Sequence, residues 1–115
     1  MTAPAQSDSG TTIQHLAGQD VAFDNEGYFL DDSQWNEEVC KDLAAQRGLT
    51  DMRPEHWRIL HAYREYYTRN GRAPLHRDLK AATGMSVMDM ERLFPGGLKF
   101  GARRLCGLPN PKTCQ

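Results

Sequence analysis

At 115 residues the chain is one domain long, with a formal charge of −1 and a sequence pI of about 6.4. That balance argues against the strongly basic footprint of a DNA-binding domain, and no run approaches the roughly 18 apolar residues of a membrane span. Folding alone becomes difficult mainly below about 40 residues, so a core without disulfide staples is feasible.

Residues 1–11 are small, polar and rich in Gly, Ser and Thr, and read as a disordered leader. They hold neither the basic region nor the apolar stretch of a secretion signal, so the expected compartment is the cytoplasm, where thiols stay reduced. Residues 12–106 read as a folded domain. Two short strands are predicted over 13–16 and 20–23, turned at Ala17-Gly18, and Asp24-Asn25-Glu26-Gly27 makes a second turn. A lone hairpin is marginal in water, so it must pack on helices.

The first helix, capped by Ser33 or Asn36, runs to about Arg47, where Gly48 closes it; Trp35, Val39, Leu43 and Ala44 share its apolar face. The second begins at Pro54 and ends near Asn70-Gly71, with Trp57, Leu60, Tyr63 (or Ala62) and Tyr67 as its stripe. A third follows Pro74 through Leu75 and Leu79 to Gly84. Ser86 with Asp89 opens a fourth, which stops at Pro95. A fifth covers about 98–105, weakened at Gly101 by about 1 kcal/mol relative to Ala. Residues 107–115 then form a mobile arm, because Pro109 and Pro111 cannot continue a helix and hold their predecessors extended.

The halves of the chain differ in charge. Residues 1–52 hold ten acidic and two basic side chains, and the remainder twelve basic and five acidic. The halves either attract each other within the fold or leave a basic surface around Arg103, Arg104 and Lys112 for an acidic partner.

Three cysteines punctuate this pattern. Cys40 lies near Leu43 and Ala44 and reads as a packed core thiol. Cys114, one residue from the end, reads as the reverse: a thiol on a stiffened tip, suited to entering another protein's pocket. Only a few per cent of a thiol with pKa near 8.5 is ionised at neutral pH. Lys112 and the basic fifth helix raise that fraction, and the α-carboxylate of Gln115 opposes them. Cys106 either packs as an alanine would or pairs with Cys114 across the seven intervening residues. The four histidines, His15, His56, His61 and His76, show no metal-ligand spacing with each other or with the cysteines, so no metal or cofactor is expected. His56 reads as structural or surface, and Tyr66-Tyr67 as core plus rim.

Gly107-Leu108-Pro109-x-Pro111-x-x-Cys114-x resembles the C-terminal signature of the DsrC/TusE family of sulfur carriers. Asp24-Asn25-Glu26-Gly27-Tyr28, Ser33-Gln34-Trp35, Pro54-Glu55-His56-Trp57, Arg77-x-Leu79 after Pro74 and Leu93-Phe94-Pro95-x-Gly97 resemble it in the same order, over roughly residues 12–115. The resemblance implies a mainly α fold, an orthogonal bundle of about five helices with an N-terminal β-hairpin and a flexible arm. It implies a sulfur relay in which Cys114 carries a persulfide. The donor would be a TusBCD/DsrEFH-type sulfurtransferase, and the acceptor a tRNA 2-thiouridine synthase or a sulfite reductase complex. Members serving sulfite reductase carry a second cysteine eleven residues before the penultimate one; here Arg103 stands in that column, closer to the one-cysteine TusE-like type. Arg77 matches a family position, and its charge could receive the arm or a persulfide anion as readily as a surface carboxylate. Residues 108–114 fully extended would span about 23–25 Å. The chain is read as a sulfurtransferase-type carrier that does not turn over alone, and as a monomer. Two other readings stay open: a redox switch using a Cys106–Cys114 disulfide, and a helix-turn-helix nucleic-acid module.

Overall fold

The computed structural model describes residues 10–110. Strands β1 (Thr12–Leu16) and β2 (Gln19–Phe23) pair antiparallel, with Thr12 opposite Phe23 and Leu16 opposite Gln19. Each is one residue longer than expected at its outer or turn end. Both turn residues have positive φ, 51° at Ala17 and 83° at Gly18, as a tight two-residue hairpin turn requires. Ala17 tolerates this because its N–H donates to the Asp42 carboxylate at 2.8 Å, which ties the turn to the first helix. The hairpin buries Leu16, Val21 and Phe23, and Phe23 meets Phe29 edge to face at 4.8 Å.

Five α-helices follow among the described residues: α1 (Glu37–Gln46), α2 (Pro54–Asn70), α3 (His76–Thr83), α4 (Val87–Leu93) and the short α5 (Arg103–Leu105). Asn36 caps α1, its Oδ1 accepting from the Val39 N–H at 2.8 Å. Ser33 instead sits in a 3-10 turn, Asp32–Gln34, opened by Asp31. Trp35 therefore lies ahead of α1 and not on its face, which frees the indole to reach across the molecule.

On α2 the fully buried side chains are His56, Ile59, Leu60 and Tyr63, while Trp57 and Tyr67 stay partly exposed. The buried stripe thus begins one residue earlier than expected, at His56, gains Ile59, and ends at Tyr63, one turn short of Tyr67. His56 is a core polar residue: its Nδ1 accepts from the Arg53 N–H at 2.9 Å and its Nε2 donates to the Leu93 carbonyl at 2.8 Å. Both ring nitrogens are satisfied, so the ring can pin α2 to the end of α4, with Phe94 edge-on at 5.1 Å.

The expected fifth helix is mostly a π-helical segment, Gly97–Ala102, running directly into α5. Gly101 is the reason. A Cβ there would lie 2.5 Å from the Pro95 carbonyl oxygen and 2.9 Å from Phe94 Cβ. The widened turn lets the backbone pass Pro95 closely and still bury Leu98, Ala102 and Leu105 in the common core.

Candidate functional site

The chain leaves α5 at Cys106 and turns through Gly107, where φ is 84°. A side chain is excluded there twice over: the backbone is left-handed, and a Cβ would collide with the Trp35 ring and the Arg64 guanidinium. Those two residues form the seat. Arg64 lies over the Trp35 ring at 4.4 Å and donates to the Cys106 carbonyl at 2.9 Å, while Trp35 Nε1 donates to the Leu105 carbonyl at 2.7 Å. Leu108 is buried beyond them. The segment Gly107–Asn110, expected to be the start of the mobile arm, is docked on the body.

Two further anchors complete the docking. Arg103 Nη2 donates to the Pro109 carbonyl at 2.8 Å. Asn110 Nδ2 donates to Asp24 Oδ2 at 3.0 Å and Glu26 Oε1 at 3.2 Å. The Asp24 turn is itself organised by that carboxylate, whose Oδ1 accepts from the N–H groups of Glu26 and Tyr28. Burial pushes the Asp24 pKa up, but the bonds from Tyr28, Asn110, Glu26 and Gly27 outweigh it and hold the acid below its usual value of 3.8.

Arg103 is buried, 7% exposed, with its guanidinium 5.1 Å above the Tyr28 ring. Arg104 faces outward. Its Nε donates to the Glu26 carbonyl at 2.6 Å, and its guanidinium stacks on Tyr28 and Phe100 at 4.7 and 5.2 Å. The two arginines expected on one basic surface both pack on Tyr28, one buried and one facing outward. Arg77 is exposed and is not among the residues described above that hold Gly107–Asn110. With Tyr28, Tyr63, Pro74, Leu75, His76, Lys99 and Arg103 it lines an open basin of about 580 Å³.

Cys106 is fully buried; its Sγ donates to the Arg103 carbonyl at 3.1 Å, and Arg103 Nη1 stands 3.9 Å from the sulfur. Burial pushes this thiol's pKa up despite the Arg103 charge, so it is a neutral thiol at physiological pH. Cys40 is buried too, and burial, with Cys106 nearby, pushes it up to about 12. Cys114 and Lys112 lie outside the described residues. No group of three His, Cys, Asp or Glu among the described residues could hold a metal ion.

Some of these partners carried no sequence signal. Arg64 is one more polar residue on a long helix, and only its phase next to Leu60 and Tyr63 places it inward. Lys99 is separated from Arg77 by twenty-one residues, so only the fold brings them to one basin. Asp24, Trp35 and Gly107 were visible as motif residues, but that Trp35 seats Gly107 and Asp24 holds Asn110 follows only from the fold.

The profile described as "DsrC like protein" matches residues 15–115. This chain belongs to the DsrC-like family. It is 33% identical over 97 residues to "Sulfite reductase, dissimilatory-type subunit gamma" of Nitratidesulfovibrio vulgaris, covering 84% of this chain and 92% of that one. It is 31% identical over 104 residues to "Sulfurtransferase TusE" of Escherichia coli, covering 84% and 94%. The DsrC fold is shared at TM-score 0.75 with the oxidized gamma subunit from Archaeoglobus fulgidus, at 29% identity over 90% of this chain and 100% of that one. DsrC of Allochromatium vinosum matches at TM-score 0.75 and 33% identity, over 91% and 99%. The mainly helical fold with an N-terminal hairpin is therefore that of the family, as the DsrC-like motifs implied. No helix among the described residues is long and apolar enough to cross a membrane.

Proposed function

We propose that this chain is a sulfur carrier that takes a sulfane sulfur onto Cys114 as a persulfide and passes it to an acceptor enzyme. Membership of a family whose curated relatives are named as a sulfurtransferase and as a sulfite reductase subunit supports the reading. The observation that carries it is the docked root. Trp35, Arg64, Arg103 and Asp24 commit buried and polar groups to holding Gly107–Asn110, directly before the penultimate cysteine. Cys114 lies four residues beyond the last anchor, so its reach from Asn110 is about 13–14 Å at full extension. That is shorter than the lever expected when the arm swings from Leu108.

In the transfer, the Cys114 thiolate attacks the outer sulfur of a donor cysteine persulfide. The donor's S–S bond breaks, its inner sulfur leaves as thiolate, and a new S–S bond forms at Cys114. The sulfane sulfur keeps its oxidation state, so no external oxidant or reductant is required. Donors of the TusBCD/DsrEFH type, and acceptors that are tRNA 2-thiouridine synthases or sulfite reductase complexes, fit this chemistry. With Arg103 in the second-cysteine column and Cys106 sealed in the core, the one-thiol relay is favoured. Chemistry that joins two thiols, or a Cys106–Cys114 redox switch, would have to unpack Cys106 first.

The test is intact mass spectrometry after incubation with a cysteine desulfurase, cysteine and a cognate sulfurtransferase. Gain of one sulfur mass by wild type and by Cys106→Ser, but not by Cys114→Ser, supports the one-thiol carrier. No gain in any variant, with loss of two hydrogens from wild type under mild oxidant, would replace the carrier by the redox switch.

A further inference from the structure

Arg47, at the C-terminal cap of α1, and Arg104, on α5, converge on Gly27. Gly27 has a φ of 90° and no side chain, and the point its Cβ would occupy lies 3.5 Å from Arg104 Nε and 3.9 Å from Arg47 Nη2. The turn thus leaves a notch between two guanidinium groups. Backbone carbonyls fix both side chains: Arg47 Nη1 donates to Phe100 at 3.0 Å, and Arg104 donates to Glu26 from Nε at 2.6 Å and to Lys99 from Nη1 at 3.3 Å. Lys99 and Phe100 complete the face. Both are exposed, Phe100 by 56%, with the Lys99 ammonium 5.4 Å and the Arg104 guanidinium 5.2 Å from its ring centre. Among the described residues, no carboxylate lies within ion-pair distance of Arg47, Lys99 or Arg104, whereas Lys41, Arg53, Arg72 and Arg92 each face one. Asp24 and Glu26, in the same turn as Gly27, accept from Asn110. Burial and the neighbouring Arg104 charge push the Arg47 pKa down, the mark of a cation held beside another without a counterion. The negative end of α1 offsets only part of that repulsion.

We propose that Arg47, Lys99, Phe100 and Arg104 form a docking face for an acidic surface of the protein that donates sulfur to this chain. The proposal rests on the carrier reading for the partner's role and deepens it. A carboxylate of the partner enters the notch over Gly27 and supplies the counterion the two guanidinium groups lack, while an apolar side chain covers Phe100. An exposed aromatic ring among arginines is the composition of the centre of a protein interface. The carbonyls that hold Arg47 and Arg104 set their geometry in advance, so little side-chain freedom is lost on contact. Charge also selects a protein over a nucleic acid. The chain carries −1 overall, and Asp24 and Glu26 beside the notch would repel a run of phosphates but not a single carboxylate. The Phe100 ring already has Lys99 and Arg104 against it, which compete with a stacking base. Glu26 links the face to the docked root, its carbonyl accepting from Arg104 and its carboxylate from Asn110. A partner seated here therefore lies beside the root.

The test follows two rates at Cys114 of the full reduced chain by peptide mass spectrometry. One is sulfur gain from a DsrEFH-type sulfurtransferase carrying its persulfide, which must dock. The other is alkylation by iodoacetamide, a neutral reagent that need not. Their ratio is the readout, so any change in the intrinsic reactivity of the thiol cancels. Lys99→Glu alters an exposed side chain and should leave the fold intact by circular dichroism. It is expected to lower the ratio about fivefold at low salt, and Arg47→Glu combined with it about thirtyfold. At about 1 M salt, where charges are screened beyond about 3 Å, both should return to within about twofold of wild type. Phe100→Ser should lower the ratio at either salt, and Arg92→Glu, a cation outside the face, should match wild type. A ratio unmoved by the double variant at low salt overturns the docking face and leaves the carrier reading standing. Loss in the double variant that persists undiminished at high salt overturns the charge pairing. Retardation of poly(U) by wild type but not by the double variant, with the ratio unmoved, would give the face to nucleic acid instead. No sulfur gain by wild type, with alkylation intact, would sink the carrier reading and the donor's dock together.

Discussion

Trp35 shows how one side chain can be visible in a sequence and misplaced by it. Helical spacing put the indole on the face of α1 with Val39 and Leu43. In the structure Asp31 and Asn36 each cap a separate turn, and the ring falls between them. The consequence is a hydrogen bond from Nε1 to the buried Leu105 carbonyl. Trp35→Phe keeps an aromatic ring but loses the Nε1 donor and part of the indole surface, so it is expected to destabilise by at least about 1–3 kcal/mol, the cost of an unsatisfied buried acceptor, in urea unfolding. Cys40 makes a second residue-scale prediction. Its folded pKa is raised from 9.0 to about 12. The thiol's contribution is thus fully present below pH 9 and is lost as pH rises toward 12. Cys40→Ala is expected to flatten the fall in stability between pH 9 and 11; equal slopes in the two proteins would contradict it.

At the scale of elements, most boundaries follow from local chemistry. Pro54, Gly71, Gly84 and Ser86 bracket α2, α3 and the start of α4 as read from sequence. The π-helical segment did not follow, because its cause is a neighbour and not a propensity. On intrinsic preference, Gly101→Ala should stabilise a helix by about 1 kcal/mol. The close approach of Pro95 and Phe94 reverses the sign. Gly101→Ala is expected to destabilise by about 1–3 kcal/mol through overpacking, measured as a lowered urea midpoint at unchanged m-value. The stripe on α2 was displaced for a related reason: His56 reads as polar, yet its two hydrogen bonds let it serve as core.

Across the whole molecule, charge segregation survives folding. Beyond the sequence-local Arg53–Asp51 pair, the ion pair between described residues that joins the acidic and basic halves is Glu37–His61 at 2.9 Å, charged only when His61 is protonated. The halves meet instead through neutral acceptors and one amide: Arg104 on the Glu26 carbonyl, and Asn110 on Asp24 and Glu26. Asp24 gives this junction a pH dependence. Its folded pKa lies below 3.8, so its contribution is present above that value and is lost as pH falls through the folded one. Amide exchange at Gly107, Leu108 and Asn110 should therefore accelerate relative to the core below about pH 3.8 in wild type. Asp24→Asn should show faster exchange already at pH 6 and little change on acidification. The sequence disclosed the family and most of the elements, because each is written in contiguous residues. The seat for the root was hidden, since Asp24, Trp35, Arg64 and Arg103 meet only through tertiary packing.

The docked root also changes the economics of partnership. A segment that folds only on contact is charged about 1–2 kcal/mol of backbone entropy for each residue it orders. Gly107–Asn110 are ordered on the chain's own body, so about 4–8 kcal/mol of that cost falls on intramolecular folding and not on the encounter. On the carrier reading, a partner is spared that part of the ordering cost. It can therefore hold the tip productively through a small contact area and still let go quickly, which is the kinetic requirement on a shuttle that serves one protein and then another.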